Sequence, residues 1–203
     1  VKLPTEFTGL WERTGLWIDG VFVPLSGRAF WFQGLSAFVD VREGSVCVLS
    51  EAFAGTTTWT PADESIFWSH DIDLRADQNP DLGRVEWRSG DIVEHGTTDV
   101  FGVDKDFTEI WRRRSDPGDP MVIADRVDGT GRLAVTGDSL AVLLGNGGTG
   151  VVRAGMGYTV GGGWSATILA GFGFAPGSRA APIADGDDHL VFLDEQWRVA
   201  ERT

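Results

Sequence analysis

The amino-acid sequence predicts an all-β chain built as two antiparallel, barrel-like halves. Short runs with period-two alternation recur along its length, and no helical period holds over a useful stretch. Glycine supplies 28 of the 203 residues, well above the usual share of roughly 7%, which favours turns, bulges and short strands. The strongest break is Ser115-Asp116-Pro117-Gly118-Asp119-Pro120, where two prolines and a glycine interrupt any strand. It separates a first half, residues 1–115, from a second, residues 120–203.

Residues 9–19 open the first half as a strand in which strict alternation puts Trp11, Arg13, Gly15 and Trp17 on one face. A guanidinium between two indoles suits a barrel wall, where the groups stack. Residues 30–33 and 36–42 follow, with a bend at Gly34 and with Phe38, Asp40 and Arg42 sharing a face. After the Glu43-Gly44 turn, residues 46–49 are apolar enough for a short central strand. Residues 51–74 read as a strand pair turning at Pro61-Ala62-Asp63. The second strand of the pair alternates cleanly, with Ile66, Trp68, His70, Ile72 and Leu74 on one face and Phe67, Ser69, Asp71 and Asp73 on the other. Strands at 82–88 and 91–95 flank a hairpin turn at Ser89-Gly90. The half ends with 107–113, whose Trp111-x-Arg113 echoes Trp11-x-Arg13, as expected if first and last strands pair to close a barrel.

Beyond the break, residues 121–127, 132–136, 139–144, 150–156, 164–170, 189–193 and 196–200 all read as short strands. Glycine turns at 145–148 and 161–163 separate some of them, and a helical turn or two is expected only around 176–184. This spacing of short strands indicates a sandwich or barrel.

The net charge of −13 argues against nucleic acid, which needs a basic surface to displace counterions. It argues equally against anionic lipid. Cys47 is the only cysteine, so no intrachain disulfide forms; its apolar neighbours make it a buried thiol. No run of about 18 apolar residues could span a bilayer, and the opening VKLPTEF lacks a signal-peptide core. A soluble, cytoplasmic protein is the expectation.

Gly9-Leu10-Trp11 resembles the Gly-x-Trp opening of the calycins, lipocalins and their relatives. In those proteins the first-strand tryptophan packs under an arginine from the last strand, a role the resemblance gives to Arg112 or Arg113. A second resemblance covers more of the chain. EAFAGTTTW at 51–59, the strand at 67–73, DIVEHGTTDVFGVDKDFTEIW at 91–111 and MVIAD at 121–125 are similar to the fungal HRI family. The likeness is densest at Glu94, Gly96, Phe101-Gly102, Asp104-Lys105, Glu109 and Trp111. That family takes its name from interaction with a casein-kinase-type protein kinase. The resemblance implies two tandem antiparallel calycin-like (lipocalin-like) β-barrels and carries over no catalytic residues.

The glycine-rich segments 145–150 and 155–158 precede no helix and have no lysine placed for a phosphate, so turns and bulges explain them. His70, His95 and His189 show no metal-ligand spacing, and neither a metal nor a cofactor is expected. Ser69 faces away from His70 and G-x-S-x-G is absent, which removes a serine hydrolase. What remains is a mixed aromatic and polar barrel interior. Trp11, Arg13, Trp17, Trp31, Gln33, Asp40, Arg42, Trp68, Trp87 and Trp111 are its candidate ligand-binding residues. His70 is the candidate general acid/base, because an imidazole titrates nearest neutrality, with Glu94 and Glu109 as its candidate catalytic partners. The competing reading is that the aromatics fill the barrel and the charges pair, since an unpaired ion there costs several kcal/mol.

Three functions follow. The first is a binder of a small hydrophobic or aromatic molecule that also acts on it, as a cofactor-independent isomerase or cyclase holding its substrate in one conformation. The second is a carrier or sensor without chemistry. The third is an interaction module, with a protein partner or a second copy of the chain.

Overall fold

The computed structural model describes residues 1–44, 51–74, 80–116, 118–145, 153–160, 163–171, 179–180 and 182–203. The strand expected at 46–49 with Cys47, the glycine turns at 146–148 and 161–162, and much of 176–184 lie outside the described residues.

A single 3-10 turn, Thr5–Phe7, leads into β1 (Gly9–Ile18). Then come β2 (Val21–Phe22), β3 (Ala29–Gln33), β4 (Ala37–Arg42), β5 (Glu51–Thr60), β6 (Ser65–Asp73), β7 (Asp81–Arg88), β8 (Asp91–Asp99) and β9 (Asp104–Arg113). All pair antiparallel, and β1 bonds both β3 and β9, so eight strands close into a barrel with β2 as a short flap on β1. The two echoing motifs meet at that seam as the sequence predicts, with Trp11 opposite Arg113 and Arg13 opposite Trp111. Trp11 Nε1 donates to the Phe7 carbonyl at 2.8 Å, and the Arg113 guanidinium lies 4.3 Å over the Trp11 ring. Arg113 also donates to the carbonyls of Thr8 and Glu6, tying the N-terminal turn across the foot of the barrel. Arg112 points outward to Asp91, so Arg113 is the arginine the calycin resemblance anticipates.

Two bulges then reverse the expected side-chain parity, because one extra residue turns every later side chain to the opposite face. In β1 the register slips between Arg13 and Gly15. Trp11 and Arg13 face inward, but past the slip Leu16 and Ile18 take the inside and Trp17 turns out to Phe22, with ring centroids 5.4 Å apart. In β6 the slip makes Asp71 the extra residue. Trp68 and His70 stay inside, Ile72 and Leu74 move to an outer core, and Asp73 comes in beside His70. The β5 partner at this point is Gly55, where any Cβ would drive into the Ser69 carbonyl oxygen.

The second half is one antiparallel sheet: β10 (Met121–Arg126), β11 (Gly131–Thr136), β12 (Ser139–Leu144), β13 (Arg153–Val160), β14 (Gly163–Gly171), β15 (Arg179–Ala180), β16 (Ile183–Ala184), β17 (His189–Phe192) and β18 (Glu195–Arg202). Its order is β15-β14-β13-β12-β11-β10-β18-β17-β16. The edges β15 and β16 do not pair among the described residues, so this is a curled half-barrel where a second closed barrel was expected.

One face of this sheet, with Met121, Ile123, Ala134, Leu143 and Met156, packs on the outer wall of β3–β5, where Phe30, Phe32, Val39, Val41 and Ala54 point. The strand β4 is therefore covered on both sides. Polar ties fix the contact. The Glu201 carboxylate accepts from the backbone N–H groups of Leu35 and Ser36, and Arg132 donates to the Gly55 carbonyl while pairing with Asp125 at 2.7 Å.

Trp11→Ala, which empties the foot of the barrel, is expected to cost about 3–5 kcal/mol in chemical denaturation. Trp17→Ala, outside the barrel, should cost about 1 kcal/mol or less.

Candidate functional site

The barrel interior is filled from the foot upward. Trp31 stands edge-on to both Trp68 and Trp111, at 5.7 Å each, and donates its indole N–H to Gln33 Oε1 at 2.8 Å. Gln33 is fully buried and spends its amide on the carbonyls of Gly34 and Ala37 and on Thr57. Only about 20 Å³ is left among Trp31, Phe38, Phe53, Trp68 and Trp111, room for a single water. Above this plug the barrel opens into a cleft of about 370 Å³. Its described walls are Arg13, Leu16, Ile18, Arg42, Glu51, Pro80, Asp81, Leu82, Glu94, Thr97, Thr98, Phe107 and Glu109.

Charges ring the base of the cleft in pairs, as burial requires. Arg13 holds Glu109 at 2.5 Å. Arg42 bridges Asp40 at 2.9 Å and Glu51 at 3.3 Å, and its guanidinium lies 4.9 Å over Phe53. Burial pushes the Asp40 carboxyl up to about 6 against the pull of Arg42. Glu94 stands directly opposite Glu109 in the β8–β9 register and accepts the Trp111 indole N–H on Oε2 at 3.0 Å. Its burial, reinforced by the neighbouring Glu109 charge, raises its pKa to about 8.

His70 lies inside the barrel, stacked on Phe53 with ring centroids 4.4 Å apart. Its Nδ1 meets Asp73 Oδ2 at 2.6 Å, and its Nε2 faces Asp81 Oδ2 at 3.5 Å, ion-pair range but outside hydrogen-bond geometry. Burial opposes the imidazolium, but Asp73 and Asp81 outweigh it and raise the pKa to about 9. At neutral pH the ring is therefore a clamped cation and holds no free lone pair for a base.

The family model described as Protein HRI1 matches residues 32–201. The chain belongs to the HRI1 family. No curated protein and no solved structure matches it. The matched span of this HRI1 chain begins within β3 and includes Asp40, Arg42, His70, Glu94 and Glu109; β1, with Trp11 and Arg13, precedes it.

Of the residues singled out from the sequence of this HRI1 chain, Arg13, Arg42, Glu94 and Glu109 come together in the cleft. Asp40, Trp31, Trp68 and Trp111 lie in the layer beneath. The others are placed elsewhere. Trp17 is on the outer wall because of the β1 bulge. Trp11 and the half-exposed Trp87 belong to the foot, packed on each other and on Phe7. Gln33 is an internal tie, and His70 bonds Asp73 rather than Glu94 or Glu109. Sequence reasoning missed Leu16, Ile18, Glu51, Asp73 and Asp81. Strict alternation assigns Asp73 to the outside, and a bulge leaves no mark in the sequence except a permissive residue such as Gly55.

Three buried groups bind protons more tightly in the folded chain: Asp40 (about 6), Glu94 (about 8) and His70 (about 9). For each, the stabilising contribution is whole below its unfolded pKa and is lost as pH rises through the folded value. Melting temperature is therefore expected to fall steadily from pH 6 to pH 9.5. His70 accounts for about 3 kcal/mol of this fall between roughly pH 6.5 and 9, so His70→Ala should flatten the profile above about pH 8 and leave only the part that Glu94 contributes below it.

Proposed function

We propose that this HRI1-family barrel binds a small molecule in its open mouth. The observation that carries the reading is the cleft of about 370 Å³ above a closed aromatic plug, a volume within the usual range for ligand sites. Leu16, Ile18, Leu82 and Phe107 give it an apolar side, and Arg13, Arg42, Glu94 and Glu109 a polar floor. A ligand with an apolar or aromatic body and one polar end fits that division, whereas a purely hydrophobic molecule would strand the floor. Isomerisation or cyclisation without a cofactor is the catalytic extension of the same act, since confining a flexible molecule in a reactive shape lowers its barrier. Glu94 and Glu109 are the groups placed to move a proton there. His70 is set behind the cleft and is already charged.

Native mass spectrometry tests the binding. Protein exposed to a metabolite extract should retain a small molecule, and Leu16→Trp, which fills the mouth, should lose it while melting like the parent. A parent that retains nothing with a Kd below about 100 µM would overturn the proposal.

A second reading, a contact for a protein partner, rests on Phe101. This side chain is fully exposed at the tip of the β8–β9 hairpin, beside the half-exposed Val103, and its φ of 54° is a left-handed conformation that suits glycine better. Phe101→Gly is expected to raise stability by about 0.5–1 kcal/mol. A loss instead would show that the phenylalanine serves the fold.

A further inference from the structure

Glu94 has half of its hydrogen bonding left open, and this decides what the mouth can accept. Its Oε2 takes the Trp111 indole N–H at 3.0 Å. No donor among the described residues reaches Oε1, which sits over Gly83, where a Cβ would come within 2.7 Å of it. No hydrogen bond among the described residues joins Glu94 to Glu109, although the two face each other in register and are both more than nine-tenths buried. Directly opposed residues of an antiparallel pair have Cβ atoms about 4.5–5.5 Å apart. Two carboxyl groups so close in a low-dielectric wall do not both ionise. Arg13, at 2.5 Å, is the counter-ion of Glu109, and no cation pairs with Glu94 among the described residues, so Glu94 is the one that keeps its proton, as its pKa of about 8 agrees. With Oε2 occupied as an acceptor, that proton belongs on Oε1. Arg13 Nε, buried and without an acceptor among the described residues, is a further donor in this wall.

Resting on the reading of the mouth as a binding site, we propose that its ligand presents a neutral carbonyl-type oxygen to Glu94, which binds it as a protonated carboxylic acid donating from Oε1. An anionic ligand is disfavoured. Even with Glu94 neutral, carboxylates (Glu51, Asp81, Glu109) outnumber guanidinium groups (Arg13, Arg42) among the described lining residues, and an anionic ligand would add to that excess. The class is therefore small amides, ketones and related carbonyl compounds with an apolar body.

Benzamide serves as the probe and benzoate as its anionic counterpart, with binding followed by tryptophan fluorescence and by NMR shifts between pH 6 and 9. Benzamide should bind the parent with a Kd no weaker than about 10 mM, and the affinity should fall as pH rises through about 8. Glu94→Gln, which keeps a donor in place, should bind with a flat pH profile. Glu94→Leu should lose about 10–100-fold at pH 6. In the free protein, one ¹³C-labelled glutamate carboxyl should titrate near pH 8 and be missing from Glu94→Gln. Benzamide binding that is independent of pH in the parent, equal in Glu94→Leu, or absent would overturn the proposal, as would tighter binding of benzoate. Benzoate binding that Leu16→Trp abolishes would leave the mouth as a binding site and remove only the carbonyl class. Failure of both probes together with an empty native spectrum would remove both.

Discussion

Everything in the first half depends on the pairing of β1 with β9. Without it, eight strands would form an open sheet with two long unpaired edges, a template for aggregation. Closure is secured at three heights along one seam. At the foot, Arg113 covers Trp11 and grips the carbonyls of the N-terminal turn. One layer up, Arg13 and Trp111 lie opposite each other. Above them Arg13 reaches Glu109, so the seam also sets the floor of the mouth. The same strands that close the barrel thus carry its polar groups, and closure and site cannot be separated.

The interior obeys a second constraint, the cost of buried charge. Each ion in the wall has a counter-ion: Arg13 with Glu109, Arg42 with Asp40 and Glu51, His70 with Asp73. Such pairs rarely stabilise beyond what apolar packing would give, because desolvation consumes the Coulombic gain. Among the described residues these pairs gather above a plug of tryptophan and phenylalanine, which distinguishes the mouth from a merely filled barrel. Glu94 is the exception to the pairing, and it meets the cost by keeping its proton.

The half-barrel has a different role in the architecture. Its sheet covers the outer wall of β3–β5, making that wall a shared core instead of a solvent face. This explains why β4 reads as apolar on both parities around Asp40, and why Ile72 and Leu74 find an apolar setting outside the barrel. It also packs on the back of β4, the strand that carries Asp40 and Arg42.

Local pattern by itself determined the all-β class and most of the strands through 113, and it suggested the meeting of Trp11-x-Arg13 with Trp111-x-Arg113. It also marked Arg13, Arg42, Glu94 and Glu109 as interior groups. These follow from alternation and turn chemistry, which act over a few residues and are written in the chain. Only the tertiary structure decided where alternation breaks. The extra residues Thr14 and Asp71 are accommodated because barrel closure demands added twist at those points, and no local signal announces that demand. From those two slips came the outward turn of Trp17, the inward turn of Leu16 and Ile18, and the capture of His70 by Asp73. Whether the second sheet closes was likewise beyond the sequence, since closure depends on whether distant edge strands reach each other, and β15 and β16 do not pair among the described residues.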